Sequence, residues 1–376
     1  MGRREDFKLI MNHKQPENII LDFGGNPLST MEGDSHNMLL DFLGYKHEKE
    51  PRDRFGKSKN IDSRILKYLD IDTVSVGEIF QPTDSLCEQL DENRYIDEWG
   101  IRRTFDGMYW DNVHSPLKNT TIEDLKAYKW PNPKSIDFKL LEQYKNQAKE
   151  YYENTDYIVC AEHPTYGIFE LGCWMCGFDD YLLKLVIDPD YIKYFNEKIF
   201  EYQMAITEIY YKELGQYIHY TTSGDDFATQ NSMFMSLDMF DSYIKPYLKE
   251  RVSQTKKYTD AYFLHHSCGS VYELIPSLID CDIDILNPIQ PTNDSMKPEK
   301  LKKEYGNDIV FHGGLDTQEV LPFGDYDSIK DAVSNLLKHM NVKGGYIFAA
   351  AHNIQEDVPP ENVVSMFKLA RELGKK

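Results

Sequence analysis

From residue 156 onward, short apolar runs alternate with amphipathic stretches along the chain. DYIVCAEH (156–163) is a continuous apolar run that ends in polar residues. The stretch after it, LGCWMCGFDDYLLKLVIDPDYIKYFNEKIFEYQMAITEIYYKEL, repeats its apolar positions at three and four, the helical period. YIHYTTSGDDFATQ (217–230), AYFLHHSCGSV (261–271), DILNPIQ (284–290), DIVFHGGLDTQ (308–318) and GYIFAAAHNIQ (345–355) read as further strands. Between and after them, SLDMFDSYIKPYLKERVSQTKKY, VYELIPSLIDC, MKPEKLKKEYG, DSIKDAVSNLLKHM and PENVVSMFKLARELGKK read as helices. Strands that alternate with helices pair in parallel and are buried on both faces. At least six such units occur without a dinucleotide-binding glycine fingerprint, which favours a closed (β/α)8 TIM barrel over an open doubly wound sheet.

Residues 1–155 are polar, turn-rich and irregular. NIILDFGGN (18–26) and DIDTVSVG (70–77) read as short strands, and YKWPNPKSID (128–137) as a Pro-rich joint. With no repeat, low-complexity tract or evident linker, the expectation is one barrel domain over residues 1–376. Residues 1–155 form its N-terminal elaboration and first strands, and residues 156–376 its clear βα units.

Composition narrows the partners more than the fold. The formal charge of −20 is spread along the sequence, so nucleic acids and anionic membrane surfaces would be repelled. The 26 Tyr and 19 Phe point to thick packing layers or an aromatic-lined pocket. The N-terminus has no apolar signal core, no stretch approaches membrane-spanning length, and position 6 lacks the Ser or Thr that would make Gly2 a myristoylation site. The six cysteines are therefore expected as reduced thiols in a cytoplasmic protein. A homodimer is compatible with all of this.

In a barrel of this kind the active site forms at the C-terminal ends of the strands. The polar clusters there are Glu162 and His163; Ser223, Asp225 and Asp226; His265, His266 and Cys268; Asn287 and Gln290; His312, Asp316 and Gln318; and His352, Asn353 and Gln355. His266 and Cys268 occupy alternate positions, so in extended backbone both point the same way, and thiolate and neutral imidazole are natural zinc ligands. A third donor must come from another strand, and His352 is the best placed. The structural alternative is a reduced, buried cysteine beside histidines bonded to backbone. Alternation sends His265 and Ser267 to the opposite face. Of the paired carboxylates, Asp226 is expected inward for acid–base work and Asp225 in a structural role at a helix N-terminus. Cys173-Trp174-Met175-Cys176 is a literal C-x-x-C, but inside a helical pattern it reads as packed thiols more readily than as a redox pair.

The segments HHSCGSVYELIPSLIDCDIDILNPIQ, FHGGLDTQEVLPFG and AAAHNIQEDVPPENVVSMF resemble the uroporphyrinogen decarboxylase superfamily, and within it the corrinoid-linked methyltransferase branch. TTSGDDFATQ with MFDSYIKPYLK, YIDEWGIR and the PL…DLKAYKWPNP stretch fit the same pattern, and the resemblance spans nearly the whole chain. It implies a (β/α)8 barrel. The decarboxylases carry an arginine-rich N-terminal segment and a catalytic Asp on an early strand. Here those regions read ILDFGGNPLS and DIDTVSVGEIF, with Gly77 near the position of the Asp. The methyltransferase branch holds zinc by H-x-C and a later cysteine. His266 and Cys268 match, while the later region reads AAAHNIQ and offers His352. A His₂Cys site carries less negative charge than His-Cys₂ and is the stronger Lewis acid.

The resemblance therefore implies an O-demethylase-type enzyme that moves a methyl group from a methylated small molecule, a methoxylated aromatic for preference, to a corrinoid protein. Zinc would sit on His266, Cys268 and His352. Asp226, Glu162 or Tyr166 would act as acid or positioning group, and Asn287, Gln290, Asp316 and Asn353 would shape the substrate pocket. Two other functions fit the residues: transfer from a methylcorrinoid to a thiol of the coenzyme M type, and a metal-free lyase or binding barrel.

Overall fold

The computed structural model describes residues 2–48, 60–79, 87–106 and 110–376. Eight parallel strands form one sheet: β1 (Ile20–Leu21), β2 (Thr73–Val76), β3 (Ile158–Glu162), β4 (Tyr220–Gly224), β5 (Tyr262–His266), β6 (Ile285–Ile289), β7 (Val310–Gly313) and β8 (Tyr346–Phe348). Each lies inside one of the eight apolar runs expected to be a strand. Their spatial order is β1-β8-β7-β6-β5-β4-β3-β2, which leaves β1 and β2 to close the ring. At that seam Asp72 N donates to Leu21 O at 3.1 Å, and Asp72 Oδ2 accepts from Leu21 N at 2.7 Å. A carboxylate here takes the place of a ladder carbonyl.

Strand alternation then sorts the side chains. Ile20, Ile158, Cys160, Tyr220, Leu264, Ile285, Val310 and Ile347 fill the barrel as one apolar cluster. Phe7, Ile10 and Met11, from the helix Arg3–Met11, close its N-terminal end. The next inward positions along several strands are polar, so the interior changes character toward the mouth. Asp72 also fixes the closing helices, because it accepts from Arg3 Nε at 2.9 Å and from Arg371 Nη2 at 2.8 Å. Burial pushes its carboxyl above the usual range, and the nearby Arg371 charge opposes that.

Three local expectations are corrected. The long helical stretch after β3 is three helices, Ile168–Cys176, Phe178–Ile187 and Pro189–Leu214. Gly177 at φ 84° breaks the first from the second, and Asp188 accepts from Tyr191 N at 3.2 Å to cap the third. The strand expected over 345–355 ends at Phe348, and the chain reaches His352 as a loop. The irregular N-terminal region contains an antiparallel meander, Glu88–Asp91, Arg94–Ile96, Arg102–Phe105 and Trp110–His114. Its strands are short and mostly solvent-facing, so they carry little apolar alternation to be read. Among the described residues no helix is long and apolar enough to cross a membrane.

Candidate metal centre and adjoining cavity

His266 is the last residue of β5, and the turn after it is tightly held. Cys268 N donates to Asp226 Oδ1 at 2.7 Å and Gly269 N to Gln290 Oε1 at 2.7 Å. Gly269 has φ 83°, and a Cβ there would run into the carbonyls of Ala228 and Thr229, so only glycine suits this turn. His352 arrives from the loop after β8. Cys268 Sγ lies 3.1 Å from His266 Nε2, and one ligand atom from each of His266, Cys268 and His352 falls within 4.8 Å of the others. A tetrahedral zinc with its usual bond lengths holds its ligand atoms about 3.3–3.6 Å apart. The trio fits such an ion with small side-chain adjustments.

The ring of His266 is oriented from behind. Its Nδ1 lies 2.5 Å from Asn287 Oδ1, an acceptor, so Nδ1 carries the proton and the Nε2 lone pair faces Cys268 and His352. Burial pushes the Cys268 thiol well up, with the Asp226 charge adding to it, and it lowers His352 to about 4, with His266 adding. Burial thus favours the uncharged thiol of Cys268 and a neutral His352 imidazole free to bind. A divalent cation at the centre of the trio would reverse the preference of the thiol.

The two aspartates divide. Asp226 Oδ1 is 3.6 Å from His266 Nε2. Asp225 turns away and accepts from Phe169 N at 3.0 Å and Glu170 N at 2.7 Å, which caps the helix Ile168–Cys176. A Cβ on Gly167 would collide with the Asp225 carboxyl group. Gly167→Ala is therefore expected to lower stability by about 1–3 kcal/mol, by forcing this buried contact apart. Urea unfolding would measure it, and an unchanged midpoint would show that the helix shifts freely. His265 is buried on the far side, 2.8 Å from Ser223 Oγ and stacked on Phe227, whose N donates to Ser267 Oγ at 3.1 Å. His265 and Ser267 do share the packing face.

Asp226 also lines a cavity of about 940 Å³. Its wall includes Arg103 and Trp110 from the meander, Phe169, Glu170 and Trp174 from the helix after β3, and Phe234. Arg103 sits over the Trp174 ring at 5.0 Å and pairs with the buried Asp97 at 2.9 Å. Glu170 is held well above the usual carboxylate range by burial, and then by the charges of Asp226 and Asp225. That environment favours its protonated form in the cavity wall.

A model of the uroporphyrinogen decarboxylase (URO-D) family matches residues 112–373. The chain belongs to this family. A solved structure, a methyltransferase from Methanosarcina mazei, superposes with a TM-score of 0.68 over 99% of this chain and 99% of its own, at 13% identity. At that identity the likeness speaks for the barrel fold. Endo-glycoceramidase II from Rhodococcus sp. superposes with a TM-score of 0.45 over 96% of this chain and 80% of its own, at 10% identity, too distant to carry an argument. No curated protein matches the sequence.

Within this family barrel the remaining expected site residues lie elsewhere than foreseen. Asn287 is fully buried and uses its amide on two imidazoles, His266 and His312, rather than facing a pocket. Gln290 holds the turn at Gly269. Asp316 accepts from Gln318 N at 2.7 Å within its own loop. Asn353 ties two loops together, accepting from Thr30 N at 3.0 Å and donating to Pro27 O at 3.0 Å and Glu32 Oε1 at 2.8 Å. None of these four is in the cavity wall, which the meander supplies instead. Tyr166 packs its ring against Trp174 at 5.1 Å, behind that wall, and burial raises its hydroxyl far above 10, which makes it a poor acid. Glu162 ends β3, and its charge acts on Cys160, Tyr210 and Tyr211, away from the trio. Cys173 and Cys176 are free, buried thiols, and burial pushes Cys176 up to about 12.

Sequence reasoning gave no role to Glu170 or Arg103. Glu170 lies in a helical stretch where its orientation could not be read, and Arg103 sits on a meander strand with no strong pattern.

Proposed function

We propose that this chain is a zinc-dependent methyltransferase, which takes a methyl group from a methoxylated aromatic and delivers it to a corrinoid carried by a separate protein. The observation that carries the reading is the adjacency of two features. A His₂Cys donor set stands at the barrel mouth, and an aromatic-walled cavity opens beside it, with Asp226 lining the cavity and approaching His266 Nε2 to 3.6 Å. Methyltransferase activity is also the description of the similar Methanosarcina mazei structure. When bound, zinc supplies a Lewis acid that stabilises negative charge on an oxygen or sulfur, and the reduced corrinoid supplies the methyl acceptor.

His266, Cys268 and His352 would hold the metal, a three-donor set of the kind that leaves a zinc ion able to bind substrate. Trp110, Phe169, Trp174 and Phe234 offer ring surfaces to an aryl group, where offset or edge contacts add to simple burial. An aryl ether that loses its methyl group keeps the bonding electron pair on oxygen. Glu170, whose protonated form burial favours, would hold a proton to that oxygen, and Asp226 would orient it. The decarboxylase reading finds no support at Gly77, where φ is 78° and the Tyr210 hydroxyl fills the space a side chain would need.

The test is methyl transfer from a panel of methoxylated aromatics to a reduced corrinoid protein, followed by the phenol released. Demethylation of at least one panel member is expected. Activity confined to methylcorrinoid and a thiol would replace this function with the second one, and no transfer in either assay, in a protein that binds no zinc, would sink both.

A further inference from the structure

A buried polar chain crosses the barrel interior from β1 to the candidate ligand on β5. Asp22, directly after β1, accepts from His312 Nε2 at 2.6 Å. His312 Nδ1 lies 2.7 Å from Asn287 Nδ2, and Asn287 Oδ1 lies 2.5 Å from His266 Nδ1. Asp22, His312 and Asn287 are each 0% exposed, so no bulk water can exchange protons with the chain or substitute for a lost partner. Asp22 follows β1, and His312, Asn287 and His266 lie on β7, β6 and β5, so the chain passes from the end of β1 beyond β8 to three consecutive strands of the sheet.

Hydrogen-bond chemistry gives this chain one direction. The Asp22 carboxylate already accepts from Gly25 N at 2.8 Å, Thr73 Oγ1 at 2.5 Å, Asn26 Nδ2 at 2.7 Å and Ser29 Oγ at 2.9 Å. The Asn26 amide is itself oriented, because its Oδ1 accepts from Leu28 N at 2.9 Å. Surrounded by donors, Asp22 acts as an acceptor, so His312 donates from Nε2, and the approach of Asn287 Nδ2 matches a lone pair on His312 Nδ1. Asn287 must then present its NH₂ to His312 and its carbonyl oxygen to His266. That oxygen demands a proton on His266 Nδ1, and Nε2 is left bare toward Cys268 and His352.

We propose that Asp22, His312 and Asn287 are positioning residues that fix the tautomer and ring orientation of His266 as a metal ligand, from the opposite side of the barrel. The inference rests on the metal-centre reading above and deepens it. The cluster of donors on Asp22 follows from the same logic, since each one helps to keep the carboxylate an acceptor.

Three variants and two readouts test it. Asn287→Leu keeps the branched side-chain skeleton and removes both polar contacts, and zinc affinity is expected to fall about 10–100-fold in a chelator competition. Asn287→Asp still accepts from His266 Nδ1 but cannot donate to His312 Nδ1, so its zinc affinity is expected between those of wild type and Asn287→Leu, a partial rescue that simple packing would not predict. Asp22→Asn allows an amide to donate to His312 and so to reverse the chain. In metal-free, 15N-histidine-labelled protein, His266 is expected as the Nδ1–H tautomer in wild type and as Nε2–H or a mixture in Asp22→Asn. If Asp22→Asn fails to fold, the Asn287 pair and the wild-type spectrum still decide. An Nε2–H His266 in wild type, or an Asn287→Leu protein that binds zinc as tightly as wild type, overturns the chain whatever the catalytic result. Failure of methyl transfer with the expected tautomer pattern would instead count against the proposed function alone.

Discussion

Replacing Cys268 and His352 together with alanine is expected to abolish zinc binding and methyl transfer while leaving the barrel folded. The pair removes two of three donors from one cluster, and His266 alone cannot hold a divalent ion against water. Each single substitution is expected to weaken zinc by more than about 100-fold, beyond the loss that follows from disturbing a residue behind a ligand. Elemental analysis after dialysis against a weak chelator reads this directly: about one zinc per chain in wild type, a trace in either variant. Circular dichroism should be unchanged, since Cys268 and His352 are partly exposed at the mouth and outside the apolar cluster that fills the barrel. Stoichiometric zinc retained in both single variants would mean that the ligands are other residues.

The second large effect lies at the opposite end of the molecule and concerns stability. Asp72→Ala is expected to destabilise the fold by about 3 kcal/mol. The side chain is 3% exposed and joins Arg3, Arg371 and the Leu21 amide at the β1–β2 seam. Its loss leaves a buried strand N–H without that acceptor and two guanidinium groups without a shared partner. The value is taken at the low end because Arg3 and Arg371 are 23% and 16% exposed and Arg3 keeps Asp70 and Asp156. Asp72→Asn, which retains an acceptor for Leu21 N, should lose less. Urea unfolding compares the three proteins, and a change below about 0.5 kcal/mol for Asp72→Ala would mean that the seam is held by other contacts. Zinc content should not change in the folded fraction, which separates this effect from the first.

Both predictions draw on features that differ in how far they could be read from the chain. All eight strands fall within segments that read as strands, and the clearest, such as Ile158–Glu162 and Ile285–Ile289, owe this to burial on both faces, which leaves a nearly continuous apolar run. The His266–Cys268 pair and the opposite orientation of His265 follow from period-two alternation alone. The separate tasks of Asp225 and Asp226 were also anticipated, since adjacent residues at a strand end point to different sides.

The cavity wall was not legible. It was expected from strand-end residues such as Asn287 and Asn353, but those amides are consumed within the protein, and a meander with little periodicity supplies the wall. Whether a polar side chain at a strand end faces a ligand or a neighbour depends on what lies opposite, which local sequence does not encode. The amino-acid sequence by itself determined the strands, their parallel arrangement and the face on which His266 and Cys268 stand. Only the tertiary structure decided that Asp22 reaches His312 across 290 positions of chain, that Asp72 closes the seam, and that the His352 side chain comes up to His266 and Cys268. Periodicity reports which way a residue faces along its own strand, whereas contacts between strands far apart in sequence exist only once the sheet has assembled and curved.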